Sequence, residues 1–588
     1  MAMEHKKRII ILSIVGIILT AIGIALLPIG QNLITKILHQ KLATLPENPG
    51  YILWRDMDLP ISQSFYLFNI TNPDETLMGA KPKVKQIGPF VYRLNITKGE
   101  ITFNSNQTIV SYWEKKQFYF QSNQSAYDLQ TQVTIMNIPL LTVYKMLDSN
   151  AVPKWLRPII RAIFNRLNYN FFITTTVDQL LFSGYKSPIL CELRKFLPKQ
   201  IPSCYFSLMS NQNDTWFGPY VQYTGHSNIN QLTSIITYNG SAKLNYWQND
   251  QCNDINGTQN GELFPPPQIF GGHKMYRFFR PDFCRSFNLT LNETNIISDV
   301  HPLRTDRFHL DRHSFMNSKD YPPNSCYQSK QKLPQFEMDE KSIKQMAEHF
   351  IDKLEINLAD VSLKNSTESI NDDKMNQTTT TIKPSGVFDL SACQQGAPIF
   401  ISFPHFFEAS DYYLEHVDGL HPNRSLHQSY IDIEPQTGTP VDFVARVQVN
   451  VDVQTAQTTH QQMQPVMMPT MWQSLTIHIT PEIAQTIEMQ TKQPRIIAYT
   501  VVSLIIIIGS IMLIYSLFVC ILYYYHQSSF YDDVHSSSSS SDDRPLINNK
   551  DDDDEQQQQS NRQQQTITDN HNVGVGGDNN TSNYGTID

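Results

Sequence analysis

Two long apolar segments near opposite ends constrain this chain more than any other feature. One covers residues 9–29, the other covers residues 496–522, and neither contains Asp, Glu, Lys or Arg. Each has the roughly 20 apolar residues that a helix needs to cross a bilayer, where a charged side chain would be costly. If both segments span the membrane, the residues between them, 30–495, lie together on one side of it.

Three basic residues, Lys6, Lys7 and Arg8, directly precede the first apolar segment. Basic residues flank membrane helices on the cytosolic side, so residues 1–8 are predicted to be cytosolic, and with them residues 523–588. A cleaved signal peptide is the alternative interpretation. The apolar core exceeds the 7–15 residues typical of signal peptides, and no clear cleavage site follows it. We therefore expect a lumenal or extracellular middle segment.

Glycosylation sequons support this orientation. Twelve Asn-x-Ser/Thr triplets lie in the middle segment, which fits a glycosylated surface better than a cytosolic domain. The asparagines are Asn69, Asn95, Asn106, Asn123, Asn213, Asn239, Asn256, Asn288, Asn292, Asn365, Asn376 and Asn423.

Cysteine usage agrees with an oxidising compartment. Six of the seven cysteines lie in the middle segment, and an even number there predicts three disulfides, although six cysteines allow fifteen pairings. They are Cys191, Cys204, Cys252, Cys284, Cys326 and Cys393. Cys520, at the cytosolic end of the second apolar segment, fits either apolar packing or reversible palmitoylation.

The C-terminal tail carries the acidity of the whole chain. The formal net charge is −9, and residues 523–588 alone account for −9. Runs of serine, acidic residues and glutamine cannot bury enough apolar surface to fold, so the tail is predicted to be disordered.

Two short patterns in the tail resemble sorting signals. Asp542 stands four residues before the pair Leu546 and Ile547, and Tyr584 stands three residues before Ile587. Extended peptides of these types place apolar side chains in pockets of clathrin adaptors, a task that suits a disordered tail. Together they favour late endosomes and lysosomes, with the plasma membrane as the alternative.

The middle segment reads mainly as β-structure. Valines at every second position from 447 to 453 alternate with polar residues, which predicts a half-buried strand. Residues 65–68 and 399–401 are continuous apolar runs and predict more fully buried strands.

Helical spacing of apolar residues occurs in two places. Pro158 can open a helix whose apolar stripe runs over residues 159–167, and a second stripe covers residues 343–358. The Ser-, Thr- and Asn-rich residues 365–385 then predict a glycosylated loop.

Motifs for covalent chemistry are absent from the sequence. It contains no GxSxG, HExxH, P-loop or CxxC pattern, so neither an enzyme, a cofactor nor a nucleic-acid partner is predicted. His309, Asp311 and His313 could share one face of a strand and bind zinc, but a plain polar strand face explains them better, and no metal site is predicted. His405 stands among apolar residues, as a hydrogen-bonded core histidine would.

Short motifs in a fixed order run from the first apolar segment to the second. They are NITNPDE at 69–75, QIGPFVYR at 86–93, VDQLL at 177–181, the block 247–258, DFCRS at 282–286, the block 396–406, DGLHPN at 418–423 and YIDIEP at 430–435. This order resembles the class B scavenger receptors, a family that includes platelet glycoprotein IV, the high-density-lipoprotein receptor and the lysosomal integral membrane proteins.

The resemblance implies a mainly β fold with some α-helix. The expected ectodomain is a large antiparallel β-barrel-like structure with an apical helical bundle at about residues 138–204 and an internal lipid tunnel, flanked by two transmembrane helices. A dry tunnel suits fatty acids, sterols and phospholipids because exposing them to water costs about 0.8 kcal/mol per CH₂. Within the family the ligands are lipids, lipoproteins and other anionic species, and no covalent step is needed.

A basic group falls within the expected apex. Lys154, Arg157 and Arg161 have i, i+3, i+7 spacing, and Arg166 follows shortly after. The resemblance implies that such cations receive anionic ligands, whereas the alternative is an ordinary solvated basic face. Some lysosomal members carry an enzyme with apical helices and release it at acid pH, but no histidine lies between residues 118 and 225 to act as the switch.

Disulfide pairing also follows from the resemblance. It implies bonds from Cys252 to Cys326 and from Cys284 to Cys393, which leaves Cys191 and Cys204 as a third pair. Sixty-six residues separate Cys326 from Cys393, more than in vertebrate members, so residues 327–385 contain an insertion.

These features predict a membrane receptor that binds lipid or lipoprotein ligands at its apex and passes lipid through a tunnel in late endosomes and lysosomes. The alternatives are a cell-surface scavenger or pattern-recognition receptor that works by endocytosis, and an escort or structural lysosomal membrane glycoprotein.

Overall fold

The computed structural model describes residues 2–56, 59–148, 170–196, 198, 201–209, 211–267, 274–298, 301–328, 345, 348, 382–454 and 463–536. By its internal contacts the chain divides into two units. One is residues 11–513, and the other comprises residues 1–10 with residues 514–588, whose described part consists of helix ends.

The described helices are α1 (Ala2–Leu42), α2 (Pro49–Asp56), α3 (Pro73–Leu77), α4 (Ile138–Asp148), α5 (Pro188–Arg194), α6 (Asp250–Asn253), α7 (Tyr412–His416), α8 (Arg424–His427), α9 (Pro481–Thr491) and α10 (Gln493–Ser536). A π-helical turn covers Gln179–Ser183, and 3₁₀ turns cover Ile229–Gln231, Pro281–Phe283, Arg312–Phe315, Pro322–Tyr327 and Pro404–Phe406.

The described strands are β1 (Ile61–Ile70), β2 (Val84–Phe103), β3 (Ile109–Phe120), β4 (Gln132–Met136), β5 (Phe172–Thr176), β6 (Tyr185–Lys186), β7 (Tyr205–Phe206), β8 (Thr215–Tyr223), β9 (Ile235–Tyr238), β10 (Met275–Arg280), β11 (Arg285–Ile297), β12 (Arg304–Leu310), β13 (Phe388–Asp389), β14 (Ile399–Ser402), β15 (Tyr430–Ile433), β16 (Pro440–Val453) and β17 (Val466–His478).

The first and last helices contain the two predicted membrane spans. Both α1 and α10 are long and apolar enough to cross a bilayer. They pack directly on each other near Gly16 and Gly509, where a Cβ added to Gly16 would lie 3.0 Å from the Gly509 carbonyl oxygen. Small residues permit such close approach of helices in lipid. The chain therefore enters and leaves the ectodomain at neighbouring points.

A thirteen-stranded antiparallel sheet forms the body of the ectodomain. Its main path runs β10-β11-β12-β15-β16-β17-β1-β2-β3-β8-β9, with β14 and then β13 branching from β16. The short segment 257–259 hydrogen-bonds to both ends of this path. Gly257 N–H donates to Ile235 of β9, and Gln259 N–H donates to Arg277 of β10, at 2.8 and 2.7 Å. The two edges of the sheet therefore share one pairing segment, in line with the barrel-like expectation.

The predicted valine strand forms as β16, but its polar side is not solvated. Gln448 and Asn450 are completely buried, whereas Val447 lines an internal cavity. Gln448 accepts a hydrogen bond from the His405 main-chain N–H at 2.6 Å, and the Asn450 amide donates to Ser402 at 3.0 Å. The half-buried interpretation was wrong because the 3₁₀ turn at Pro404–Phe406 covers the outer face of the strand.

The structure contains two of the expected disulfides. Cys252 is bonded to Cys326 and Cys284 to Cys393, the pairing that the resemblance implies. Cys191 and Cys204 are free thiols that are close enough to hydrogen-bond with each other. Their pairing as a third disulfide stays a prediction.

The expected apical region is described in part. It includes α4, α5 and β5, which pairs with β4, and these elements pack around a buried cluster containing Met136, Tyr144 and Phe171. The helix predicted over residues 159–167 lies outside the described residues. Most of the predicted helix over residues 343–358 and nearly all of the loop over residues 365–385 also lie outside them.

Candidate functional site

A large cavity lies inside the sheet. It encloses about 1620 Å³ of space that no atom occupies, part of it open to solvent, and about 180 Å³ is accessible to the centre of a water molecule. A single buried water needs only about 10–15 Å³ of volume accessible to its centre, so the cavity has room for far more than one water.

Most of the cavity wall is apolar. Strand alternation turns every second side chain of the sheet inward, and the inward positions of β16, β17 and β10–β12 are largely aliphatic or aromatic. This lining includes Phe278, Phe287, Leu289, Leu310, Phe443, Ala445, Val447, Leu475 and Ile477. Such a wall favours the acyl chain or ring system of a lipid over water.

The lining begins close to the membrane helices. Ile477 and Ile479 line the cavity immediately before α9, which leads into α10. Trp54 lines it from α2, which follows α1. Farther along, the lining includes Phe118, which packs against the buried cluster of Phe65 and its neighbours.

A group of charged side chains interrupts the apolar wall. We call this group the polar patch, and its members are Lys98, Glu114, Lys116, Glu262, Arg280 and Asp282. All except Lys98 line the cavity. Its three cations and three anions balance formally, which lowers the cost of removing them from water.

Lys116 and Asp282 form the centre of the patch. The Lys116 Nζ lies 3.3 Å from Asp282 and 4.0 Å from Glu114, while Arg280 Nη2 lies 3.3 Å from the same Asp282 oxygen. Burial alone would raise the pKa of Asp282, but Lys116 and Arg280 outweigh it, and the pKa is lowered overall. Asp282 is therefore held ionised.

Lys98 and Glu262 form the deepest ion pair of the patch. Their Nζ and Oε1 atoms are 2.6 Å apart, and the side chains are 0% and 10% exposed. The ammonium also lies over the rings of Trp54 and Tyr112, at 5.1 and 5.7 Å from their centroids. Burial raises the pKa of Glu262, against the opposing attraction of Lys98.

The polar patch was not predicted from the sequence, although β3 contains a signal for it. In β3 the buried positions alternate as Val110, Tyr112, Glu114 and Lys116, so the charges keep the phase of the core residues. A charged pair in the apolar phase of a strand indicates burial next to partners or a cavity. The register of β3 against β2 and β8 is needed to decide whether such charges lie next to buried partners or next to a cavity.

Eleven of the predicted site residues lie outside the part of the chain that the structure describes. This holds for the apical cations Lys154, Arg157, Arg161 and Arg166, for the tail residues Asp542, Leu546, Ile547, Tyr584 and Ile587, and for Asn365 and Asn376. Their proposed roles stay predictions.

The remaining sequon asparagines lie mainly at the surface. Asn69 and Asn288 are partly exposed. The exposed asparagines are Asn95, Asn106, Asn123, Asn213, Asn239, Asn256, Asn292 and Asn423. Exposure is compatible with glycosylation, and occupancy stays a prediction.

The strand proposed for His309, Asp311 and His313 ends before the second of these residues. β12 stops at Leu310, and Asp311 caps a 3₁₀ turn by accepting from the His313 N–H at 3.0 Å. The three side chains therefore do not share a strand face, and no group of metal ligands occurs among the described residues. His405 is a hydrogen-bonded core histidine, as predicted.

Comparisons with known proteins match the sequence over nearly the whole chain. The sequence model of the CD36 family matches residues 14–520. The chain belongs to the CD36 family. Among its relatives within this family is the bovine (Bos taurus) scavenger receptor class B member 1, 27% identical over 492 residues, which cover 83% of this chain and 84% of the relative. Human (Homo sapiens) lysosome membrane protein 2 is 29% identical over 506 residues, with 84% of this chain and 91% of the relative covered.

Proposed function

We propose that this CD36-family protein is a receptor that carries lipid through the cavity of its ectodomain. The main support is the apolar cavity inside the sheet, whose lining reaches Ile479, next to the helices that lead into the membrane. Burying about ten CH₂ groups there would offset roughly 8 kcal/mol of exposure to water. Lipid transfer then needs no covalent step.

A substitution that fills the cavity tests this proposal. Ala445 lines the cavity on β16, and Ala445→Trp would place an indole inside it. We expect the variant to purify with several-fold less bound lipid by mass spectrometry and to transfer less fluorescent sterol or fatty acid in cells. Ala80→Trp, at an exposed turn, is the matched control. Unchanged bound lipid and flux in Ala445→Trp would contradict the proposal.

The apical cations are the proposed entry for anionic ligands. Lys154, Arg157, Arg161 and Arg166 form a basic group in a region between α4 and β5. Lipoproteins and anionic lipids would be attracted to such a group, with a rate that falls as salt rises. Charge reversal at Lys154, Arg157 and Arg161 is expected to reduce ligand binding. Unaltered binding would support the alternative, that these residues form an ordinary solvated basic surface.

We further propose that both termini are cytosolic and that the tail directs the protein to late endosomes and lysosomes. Identity to the scavenger receptor and to the lysosome membrane protein is nearly equal, so the support comes from the two tail patterns. Clathrin adaptors are the expected partners. Leu546→Ala with Ile547→Ala and Tyr584→Ala should shift the protein to the plasma membrane; unchanged location would argue for residence set by other signals.

A further inference from the structure

The polar patch is an unusual feature in a cavity that is otherwise suited to oily molecules. Side chains of Lys98, Glu114 and Lys116 are 0%, 4% and 9% exposed, respectively. Charges this deep are tolerated when each is paired and the group is neutral as a whole. A lipid that enters the cavity brings its own head group to a place where charges already balance.

We propose that the polar patch binds the head group of the lipid and selects head groups that carry no net charge but can both donate and accept hydrogen bonds. This inference rests on the lipid-carrying function proposed above. It adds named residues that determine which lipid is preferred.

The first argument is electrostatic. A carboxylate placed beside the patch would be attracted to Lys116 and Arg280 and repelled by Glu114 and Asp282, and it would leave one uncompensated charge in a poorly solvated space. A lone ammonium would leave the opposite charge. Uncompensated charge is costly where the effective dielectric constant is low. A neutral head group avoids this cost.

The second argument concerns hydrogen bonds. Glu114 lies 4.0 Å from Lys116, which is too long for a hydrogen bond, so its carboxylate can accept one from a ligand. The Lys116 ammonium has three donors and can give one to a ligand oxygen. A head group with both a donor and an acceptor would use both residues.

Two natural head groups share this chemistry. The hydroxyl of a sterol donates and accepts through one atom, and the primary ammonium and phosphate of phosphatidylethanolamine do so through two. Competition by cholesterol or by a short-chain phosphatidylethanolamine against a bound fatty alcohol would show which one occupies the patch.

The test uses three probes with the same chain: hexadecanol, hexadecanoic acid and hexadecylamine. Their binding to the full-length protein in detergent is measured at mildly alkaline pH, where the acid is ionised and the amine is protonated. We expect the alcohol to bind about tenfold more tightly than either charged probe, a difference that one uncompensated charge readily produces. Equal binding of all three would overturn the inference.

Variants of the patch should shift the preference in opposite directions. Glu114→Gln leaves one excess positive charge and is expected to favour the acid, whereas Lys116→Gln leaves one excess negative charge and is expected to favour the amine. The double variant is neutral again and should restore the preference for the alcohol. A purely structural role would shift all three probes alike, and that result would also overturn the inference.

A matched control lies on the outer face of the same strand. Lys115 pairs with Asp214 at 3.0 Å, with the side chains 22% and 64% exposed. Lys115→Gln and Asp214→Asn make the same charge changes outside the cavity and should leave the preference unchanged. If no probe binds the unaltered protein, or if Ala445→Trp retains all binding, the lipid-carrying function itself fails. If the probes bind and charge does not govern their order, only the head-group inference fails.

Discussion

His405 stacks on His427, with ring centroids 4.5 Å apart and planes 10° from parallel. The His405 Nδ1 accepts a hydrogen bond from the His421 N–H at 3.0 Å, so its Nε2 carries the proton and donates to Gln86 at 2.6 Å. The His427 Nδ1 likewise accepts from the Asn423 N–H at 2.9 Å. Both rings are therefore held neutral, because protonation would remove an acceptor and make the rings repel.

This pair predicts a loss of stability in acid. Burial lowers the pKa of His405 to about 3 and, with the charge of Arg446 as a smaller cause, the pKa of His427 to about 4. Unfolded histidines titrate near 6.5, so the unfolded chain gains protons first and stability falls as pH drops below that value.

His427→Asn retains an acceptor near the Nδ1 position and removes one titrating ring. We expect the stability lost between pH 7 and 5 to shrink by about 1–2 kcal/mol, measured by urea unfolding of the full-length protein. The same substitution at exposed His421 is the control. An unaltered pH dependence in His427→Asn would contradict this account.

Apolar length and strand periodicity were sufficient to predict the membrane helices and most of the β texture. The two apolar segments fall within α1 and α10, and residues 65–68 and 399–401 fall within β1 and β14. These signals are local, so neighbouring residues suffice to read them.

The orientation of side chains could not be predicted in the same way. Gln448 and Asn450 read as solvated, yet they are buried, because a distant turn covers one face of β16 and the cavity borders the other. The polar patch likewise joins Lys116 of β3 to Asp282, which are 166 residues apart. Such pairings depend on sheet register, which a single sequence does not specify.

Gly438 is predicted to tolerate no side chain. Its φ is +70°, and an added Cβ would lie 1.8 Å from the carbonyl oxygen of Phe264. Gly438→Ala should lower the free energy of unfolding by more than about 2 kcal/mol, because the backbone must shift in addition to the left-handed strain. Gly240 has φ +77° and open space around it, so Gly240→Ala isolates the strain alone and should cost about 1–2 kcal/mol. Equal losses at the two sites in urea unfolding would rule out the steric explanation.

The pair Arg307 and Asp432 should be strongly sensitive to removal of one partner. Arg307 donates to both carboxylate oxygens at 2.7 Å, and the Asp432 side chain is 0% exposed. Arg307→Met would leave a buried carboxylate without its cation and should cost about 3–5 kcal/mol, and adding Asp432→Leu should recover most of it. Lys81→Met breaks an exposed pair with Asp418 and should cost less than about 1 kcal/mol in the same assay. A small loss in Arg307→Met would show that water reaches Asp432.

Cys191 and Cys204 are predicted to form a disulfide in cells. Burial and, as a smaller cause, a hydrogen bond with the Cys204 thiol raise the pKa of Cys191. The two thiols are therefore already in contact, but little of the reactive thiolate is present. Their oxidation would depend on the enzymes of the secretory pathway. Non-reducing peptide mapping of protein purified from cells should recover the two cysteines linked, while Cys520 reacts with an alkylating agent after detergent solubilisation. Cys191→Ser should then lower the free energy of unfolding by up to about 3 kcal/mol, as expected for a loop of this length. Recovery of both cysteines as alkylated thiols would refute the pairing, and an equal loss of stability under reducing and oxidising conditions would assign the effect of Cys191→Ser to packing.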